Sequence, residues 1–229
     1  MIIMRPHPFV TKFVDDVLEN VKFEKITKSQ KQIFSLVLTM MSVLCFICWD
    51  RFSRSCLGTK CSRAISKVIM NPLFPLSAIF VGSVKLMISK AGYSGKLVID
   101  DTDNPRSKGA KFLHKLFLSF DKKTNGFIKL QNIVILLYVT NKLTIPVGFR
   151  FFAPDPEWVK WRQEDMRLRK LKVKKSERPK KPLRNSNYST RNELAIELVT
   201  EFQTFYPRVN AEAFLVDAGY CPRTMIKEG

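Results

Sequence analysis

Histidine is almost absent from this chain, with His7 and His114 the only two in 229 residues. There is no glycine-rich phosphate loop of Walker type and no nucleophile elbow, so nucleotide-driven chemistry and serine hydrolysis lack their usual groups. Either histidine is better explained as structural or solvent-facing than as a catalytic base. Acidic residues are scarce too: 20 Asp and Glu stand against 39 Lys and Arg, a formal charge of +19. A field of that sign attracts polyanions, which makes nucleic acid the expected partner rather than a small-molecule substrate.

No secretory pattern opens the chain, and five cysteines is an odd number, so a cytoplasmic, DNA-associated protein is expected. The spacing Cys45-x2-Cys48-x7-Cys56-x4-Cys61 invites a zinc site, since thiolates at short spacing can complete a tetrahedron. It matches no standard finger, and Cys45 and Cys48 lie in an apolar run where cysteine behaves as a small hydrophobe. That run, Ile33 to Trp49, has 17 residues without a charge, short of the ~20 usually needed to span a bilayer. Ser35, Thr39 and Ser42 interrupt it, so it reads as a buried core helix and not as a membrane span.

Residues 1–92 read as a helical module. Phe13, Val14, Val17, Leu18 and Val21 recur at helical spacing, the apolar helix follows, and Pro72 and Pro75 divide the segment Ile69 to Ile88. Arg51, Arg54, Lys60, Arg63 and Lys67 lie between the apolar stretches, available to phosphates or to solvent. From Lys96 the period changes. Leu97-Val98-Ile99 is a short strand that runs into Asp100-Asp101-Thr102-Asp103. Two β-rich runs, Gly126 to Val139 and Leu143 to Phe152, flank the polar turn Thr140-Asn141-Lys142, and Pro146 puts the second at an edge or a bulge.

Residues 153–189 form a basic insertion. Between Lys160 and Arg184 there are twelve Lys and Arg against three Asp and Glu, with a helix expected over Trp158 to Val173. Trp158, Lys160, Arg162, Arg167, Arg169, Lys170, Lys172, Lys174 and Lys175 are its candidate DNA contacts, because aromatics accompany the charge. Thr190 and Glu193 form a capping box, Leu194, Leu198, Phe202 and Phe205 give the following helix one apolar face, and Pro207 closes it. Ala211 to Val216 is a last strand, ending on Asp217.

The order strand, hairpin, helix, strand places the first and last strands side by side and parallel, with Asp100 and Asp217 at neighbouring ends. Each aspartate alone is an ordinary turn or cap residue. Held together, the two carboxylates repel unless a divalent cation reconciles them, here Mg2+ or Mn2+ with oxygen ligands. Such ions activate the attacking oxygen and stabilise the leaving one in phosphodiester cleavage.

At this point the chain resembles the insertion-sequence transposases of the DDE class, whose catalytic domain is RNase H-like. The resemblance rests on Val98-Ile99-Asp100-Asp101-Thr102-Asp103-Asn104 with Arg106-Ser107-Lys108, on Gln131-Asn132-Ile133-Val134, on Ile145-Pro146-Val147-Gly148-Phe149, and on Val216-Asp217-Ala218-Gly219-Tyr220. An aspartate followed one residue later by Thr is similar to the family's first catalytic position, which selects Asp100 and keeps adjacent Asp101 as its alternative. Asp217 matches the second. The resemblance implies an α+β or α/β fold: a helical, DNA-binding module over 1–92, then a partial RNase H-like mixed sheet with flanking helices over 93–229. It also implies transposon ends and target DNA as partners, contacts from Arg106 and Lys108, and room for a homo-oligomer.

The family's third acid is a glutamate on a later helix, in a tyrosine, arginine, glutamate, lysine signature. Tyr220, Arg223 and Glu228 mimic part of it but follow Asp217 too closely to form that helix. The expectation is therefore an incomplete transposase, inactive or weakly active alone, or a non-enzymatic DNA-binding product of the same ancestry.

Overall fold

The computed structural model describes residues 5–19, 26–44, 50, 52, 54, 62–121, 123–217 and 220. Cys45, Cys48, Cys56, Cys61, Arg51, Lys60, Arg223 and Glu228 lie outside those residues. The chain divides into two compact units, residues 1–91 and 92–229. Among the described residues there are six α-helices and one mixed sheet of five strands, an α+β fold.

The first unit contains α1 (Pro8–Glu19), α2 (Lys28–Leu44), α3 (Ser62–Ile69) and α4 (Leu76–Ala91). Along α2, Ile33, Leu36, Val37 and Met40 recur at helical spacing and are buried with Phe52 and Ile65 in one cluster. A second cluster joins Val17 of α1 to Phe74 and Ile79. The hydroxyls interrupting α2 are used internally: Thr39 Oγ1 donates to the Ser35 carbonyl at 2.8 Å and accepts from the His7 amide at 3.0 Å. No helix among the described residues is long and apolar enough to cross a membrane. Ile65 is the buried face of α3, and Arg63 and Lys67 are on its exposed side.

In the second unit, β1 (Ser94–Pro105) is central. Antiparallel β3 (Gly126–Val139) lies on one side and parallel β5 (Asn210–Val216) on the other. The outer edge of β3 carries two partners end to end: β2 (Phe117–Asp121) on its first residues and β4 (Thr144–Phe152) on its last. The strand β2 was not foreseen. Pro146 falls on β4, which pairs only with β3 among the described strands, and the register slips beside it between Leu136 and Leu137, so both the edge and the bulge expected of proline are present.

The helix α5 (Pro156–Lys170) starts with Asp155 accepting the Glu157 amide at 2.9 Å. The helix α6 (Arg191–Phe205) makes both bonds of the capping box, Glu193 N–H to Thr190 Oγ1 at 3.2 Å and Thr190 N–H to Glu193 Oε2 at 2.8 Å. Its Leu194, Leu198 and Phe202 are buried against the sheet, with the Phe202 ring 6.0 Å from that of Tyr138. Gly148 permits the contact, since a Cβ there would stand 2.8 Å from Leu198 Cδ2. The crossover through α6 returns the chain parallel to β1, an arrangement compatible with RNase H-like topology.

Candidate functional site

The pleat of β1 divides its acidic run between two faces. Leu97, Ile99, Asp101 and Asp103 project toward α6, while Val98, Asp100 and Thr102 project away from it. Asp100 is exposed, and its Oδ1 accepts the backbone N–H of Asp101 at 2.8 Å. Parallel pairing ends with Ile99 beside Val216, so the next residue on each strand is an aspartate, Asp100 on β1 and Asp217 beyond β5. Asp217 is also exposed. The fold thus brings to one end of adjacent strands the two carboxylates singled out in the sequence.

Asp101 has different surroundings. Its Oδ1 accepts from the Tyr220 hydroxyl at 3.1 Å, and its Oδ2 from Asn132 Nδ2 at 2.6 Å. Arg191 Nε is 3.5 Å from the same Oδ2 and donates to Asn132 Oδ1 at 3.2 Å. Asn132 Nδ2 also reaches Asp103 Oδ1 at 2.9 Å, and the Arg191 guanidinium lies over the Phe152 ring at 4.7 Å. Asn132 is 0% exposed and Tyr220 2%, so their polar atoms need partners inside the protein, and this network supplies them. Burial, and then the negative charge of Asp101, pushes the Tyr220 phenol well above its ordinary range, which keeps it a proton donor.

Hard oxygen donors at a rigid strand end suit Mg2+ or Mn2+ in kind. In number they are fewer than a full set, because no three His, Cys, Asp or Glu side chains converge on a common point among the described residues.

Arg106 and Lys108 open the loop between β1 and β2. Arg106 Nε donates to Gln131 Oε1 at 3.0 Å, and Gln131 Nε2 donates to the His114 carbonyl at 2.6 Å. Lys129 Nζ reaches the carbonyls of Lys108 and Ala110, each at 2.7 Å. The backbone of this loop is therefore tied to β3, and Arg106 and Lys108 remain exposed.

In the basic segment both tryptophans are half-buried. Trp161 Nε1 donates to the Pro179 carbonyl at 2.8 Å, and the Arg162 guanidinium covers the Trp158 ring at 5.0 Å. Arg167 pairs with Glu164 at 2.7 Å and Arg169 with Asp165 at 2.9 Å. Lys160, Lys170, Lys172, Lys174 and Lys175 are exposed.

Sequence reasoning missed the roles of Asn132, Arg191 and Tyr220 around Asp101. One signal was present: Gln131-Asn132 interrupts an apolar strand, and a polar pair in a buried strand requires partners.

A family model described as DDE superfamily endonuclease matches residues 70–229, which include β1, all its sheet partners and both aspartates. No curated protein and no solved structure matches the chain.

Proposed function

Because the chain belongs to the DDE superfamily endonucleases, we propose that it is a transposase of the insertion-sequence type, acting on DNA with divalent metal held by Asp100 and Asp217. The observation that carries this reading is the register of the parallel pair, in which both strands reach an exposed aspartate at the step after Ile99 and Val216. A bound divalent ion there would supply charge neutralisation at the scissile phosphate and acidify the attacking oxygen.

The protein's own groups do the remaining work. Asp100 and Asp217 hold oxygen donors at the ends of hydrogen-bonded strands, where the backbone has little freedom. Asp101 is assigned a positioning role, because its two oxygens are already engaged by Tyr220, Asn132 and Arg191. Tyr220 belongs to the same Val-Asp-Ala-Gly-Tyr run as Asp217, so its bond to Asp101 ties that run to β1. Arg106, Lys108 and the first unit, with exposed Arg63 and Lys67, present cations to a DNA backbone.

The test is Mn2+ binding to the purified chain, read from the free-ion paramagnetic resonance signal, together with metal-stimulated nicking of supercoiled DNA. Asp100→Asn and Asp217→Asn are expected to weaken Mn2+ binding at least tenfold and to remove any nicking, with DNA binding retained. Nicking that persists in Asp217→Ala defeats the assigned site. Salt-sensitive DNA binding with no metal-stimulated cleavage, indifferent to Asp100→Asn, would leave a non-enzymatic DNA-binding protein instead.

A further inference from the structure

The segment from Lys160 to Arg184 sorts its cations by residue type. Each of its five arginines contacts a neighbouring side chain, although all but Arg178 are as exposed as the lysines. Arg162 lies over Trp158, Arg167 pairs with Glu164, Arg169 and Arg178 share Asp165, and Arg184 pairs with Glu193. Its seven lysines are all exposed, and none makes an ion pair with a described residue.

One arginine, Arg178, ties the returning chain to the helix. Asp165, 7% exposed, faces the helix's own Arg169 and, at 2.8 Å, Arg178 of the returning chain. One residue beyond Arg178, the Pro179 carbonyl accepts from Trp161. These two contacts hold the stretch after α5 back against the helix. Lys172, at φ 59°, begins the return, and a single 3-10 turn over Lys175–Glu177 follows. Guanidinium groups suit fixed pairing with a carboxylate, whereas an ammonium on a flexible stem remains hydrated and mobile. A solvated linker would need no such division.

We infer that this segment is a folded arm that binds the phosphate backbone of duplex DNA through Lys172, Lys174, Lys175, Lys180 and Lys181, with Arg178 and Trp161 fixing the arm's shape. The inference rests on the reading of the chain as a DNA-processing protein. Duplex rather than single-stranded DNA is the choice because both tryptophans are half-buried, their rings 6.5 Å apart with Arg162 over Trp158, and so are used in packing within the arm. Charge then provides the attraction, without base recognition.

The experiment is fluorescence anisotropy of a labelled random-sequence duplex against the full chain over a series of salt concentrations. Each phosphate neutralised contributes about 0.9 to the slope of log affinity against log salt, so changing all five lysines to glutamine should lower the slope by about 4. A triple variant, Arg162→Gln with Arg167→Gln and Arg169→Gln, should move it by less than about 1, against roughly 3 if those arginines faced phosphates. Circular dichroism melts of the lysine variant should match the parent, since exposed lysines carry none of the arm's internal contacts.

A slope unchanged in the lysine variant, or one lowered only by the arginine variant, overturns the assignment. Preference for single-stranded DNA accompanied by quenching of tryptophan fluorescence overturns it too. Failure of the unsubstituted chain to bind duplex DNA would sink the transposase reading itself, whereas duplex binding with an unaltered slope in the lysine variant sinks only the arm.

Discussion

The Tyr220 hydroxyl donates to Asp101 Oδ1 at 3.1 Å, joining the segment that follows Asp217 to the central strand 119 residues earlier. A buried hydrogen bond to a charged acceptor contributes about 1.5–3 kcal/mol net. Tyr220→Phe keeps the ring and removes only that bond. Its expected cost in urea unfolding is about 1–2 kcal/mol, discounted because Asp101 retains some solvent contact. Mn2+ affinity should fall severalfold as the Asp217 backbone gains freedom. Parent-like stability together with parent-like metal affinity would show that the bond positions nothing.

Neighbouring aspartates on opposite faces of β1 should respond differently to the same substitution. Asp100→Asn touches an exposed side chain that accepts the next amide, so stability should stay within about 0.5 kcal/mol while Mn2+ binding falls at least tenfold. Asp101→Asn leaves Arg191 without its charged partner beside a fully buried Asn132, with an expected cost of about 1–2 kcal/mol. Its metal defect should be a shift in affinity that excess Mn2+ overcomes, since no ligand has been removed. Comparing metal titrations of the two variants decides the matter, and a defect in Asp101→Asn that no Mn2+ concentration rescues would make Asp101 the ligand.

Local signals made most of the sheet legible. Short apolar runs leading into aspartates marked β1 and β5, the capping box fixed the start of α6, and Pro146 announced an edge or a bulge. These features depend on residues close in sequence. The strand β2 escaped because Phe117–Asp121 is short and pairs with the opening residues of β3, whose whole length read as one arm of the hairpin at Thr140. The network around Asp101 escaped for a different reason: Asp101, Asn132, Arg191 and Tyr220 meet only after the sheet and crossover have formed. In the same way, composition exposed the basic segment but could not tell its paired arginines from lysines that pair with no described residue.

Acid should loosen α6 through its capping box. Hydrogen bonding from Arg184, and then from the Thr190 amide, holds Glu193 below its ordinary carboxylate range. A folded-state pKa below the unfolded one gives stability that is present above the unfolded value, near 4.5, and is lost as pH falls through the folded value. Helical circular dichroism during acid unfolding should therefore show a steeper decline below about pH 4.5 in the parent than in Glu193→Gln. Superimposable acid limbs would remove the carboxylate from the account of this helix.

Asp165 separates the arm's shape from its charge. Asp165→Ala strands Arg178, whose side chain is 13% exposed and whose Nε already has no partner among the described residues. Breaking a buried pair costs about 3–5 kcal/mol, and about 2 kcal/mol is expected here because Arg178 stands near enough to the surface to turn toward water. The loss should be local: trypsin cleavage after Lys172, Lys174 and Lys175 should accelerate about tenfold or more, since cleavage follows the open population. The DNA salt slope should hardly change, because the lysines are still present, whereas affinity should fall as binding must now order the arm. A lowered slope in Asp165→Ala would instead mean that the arm's cations act only when held in place.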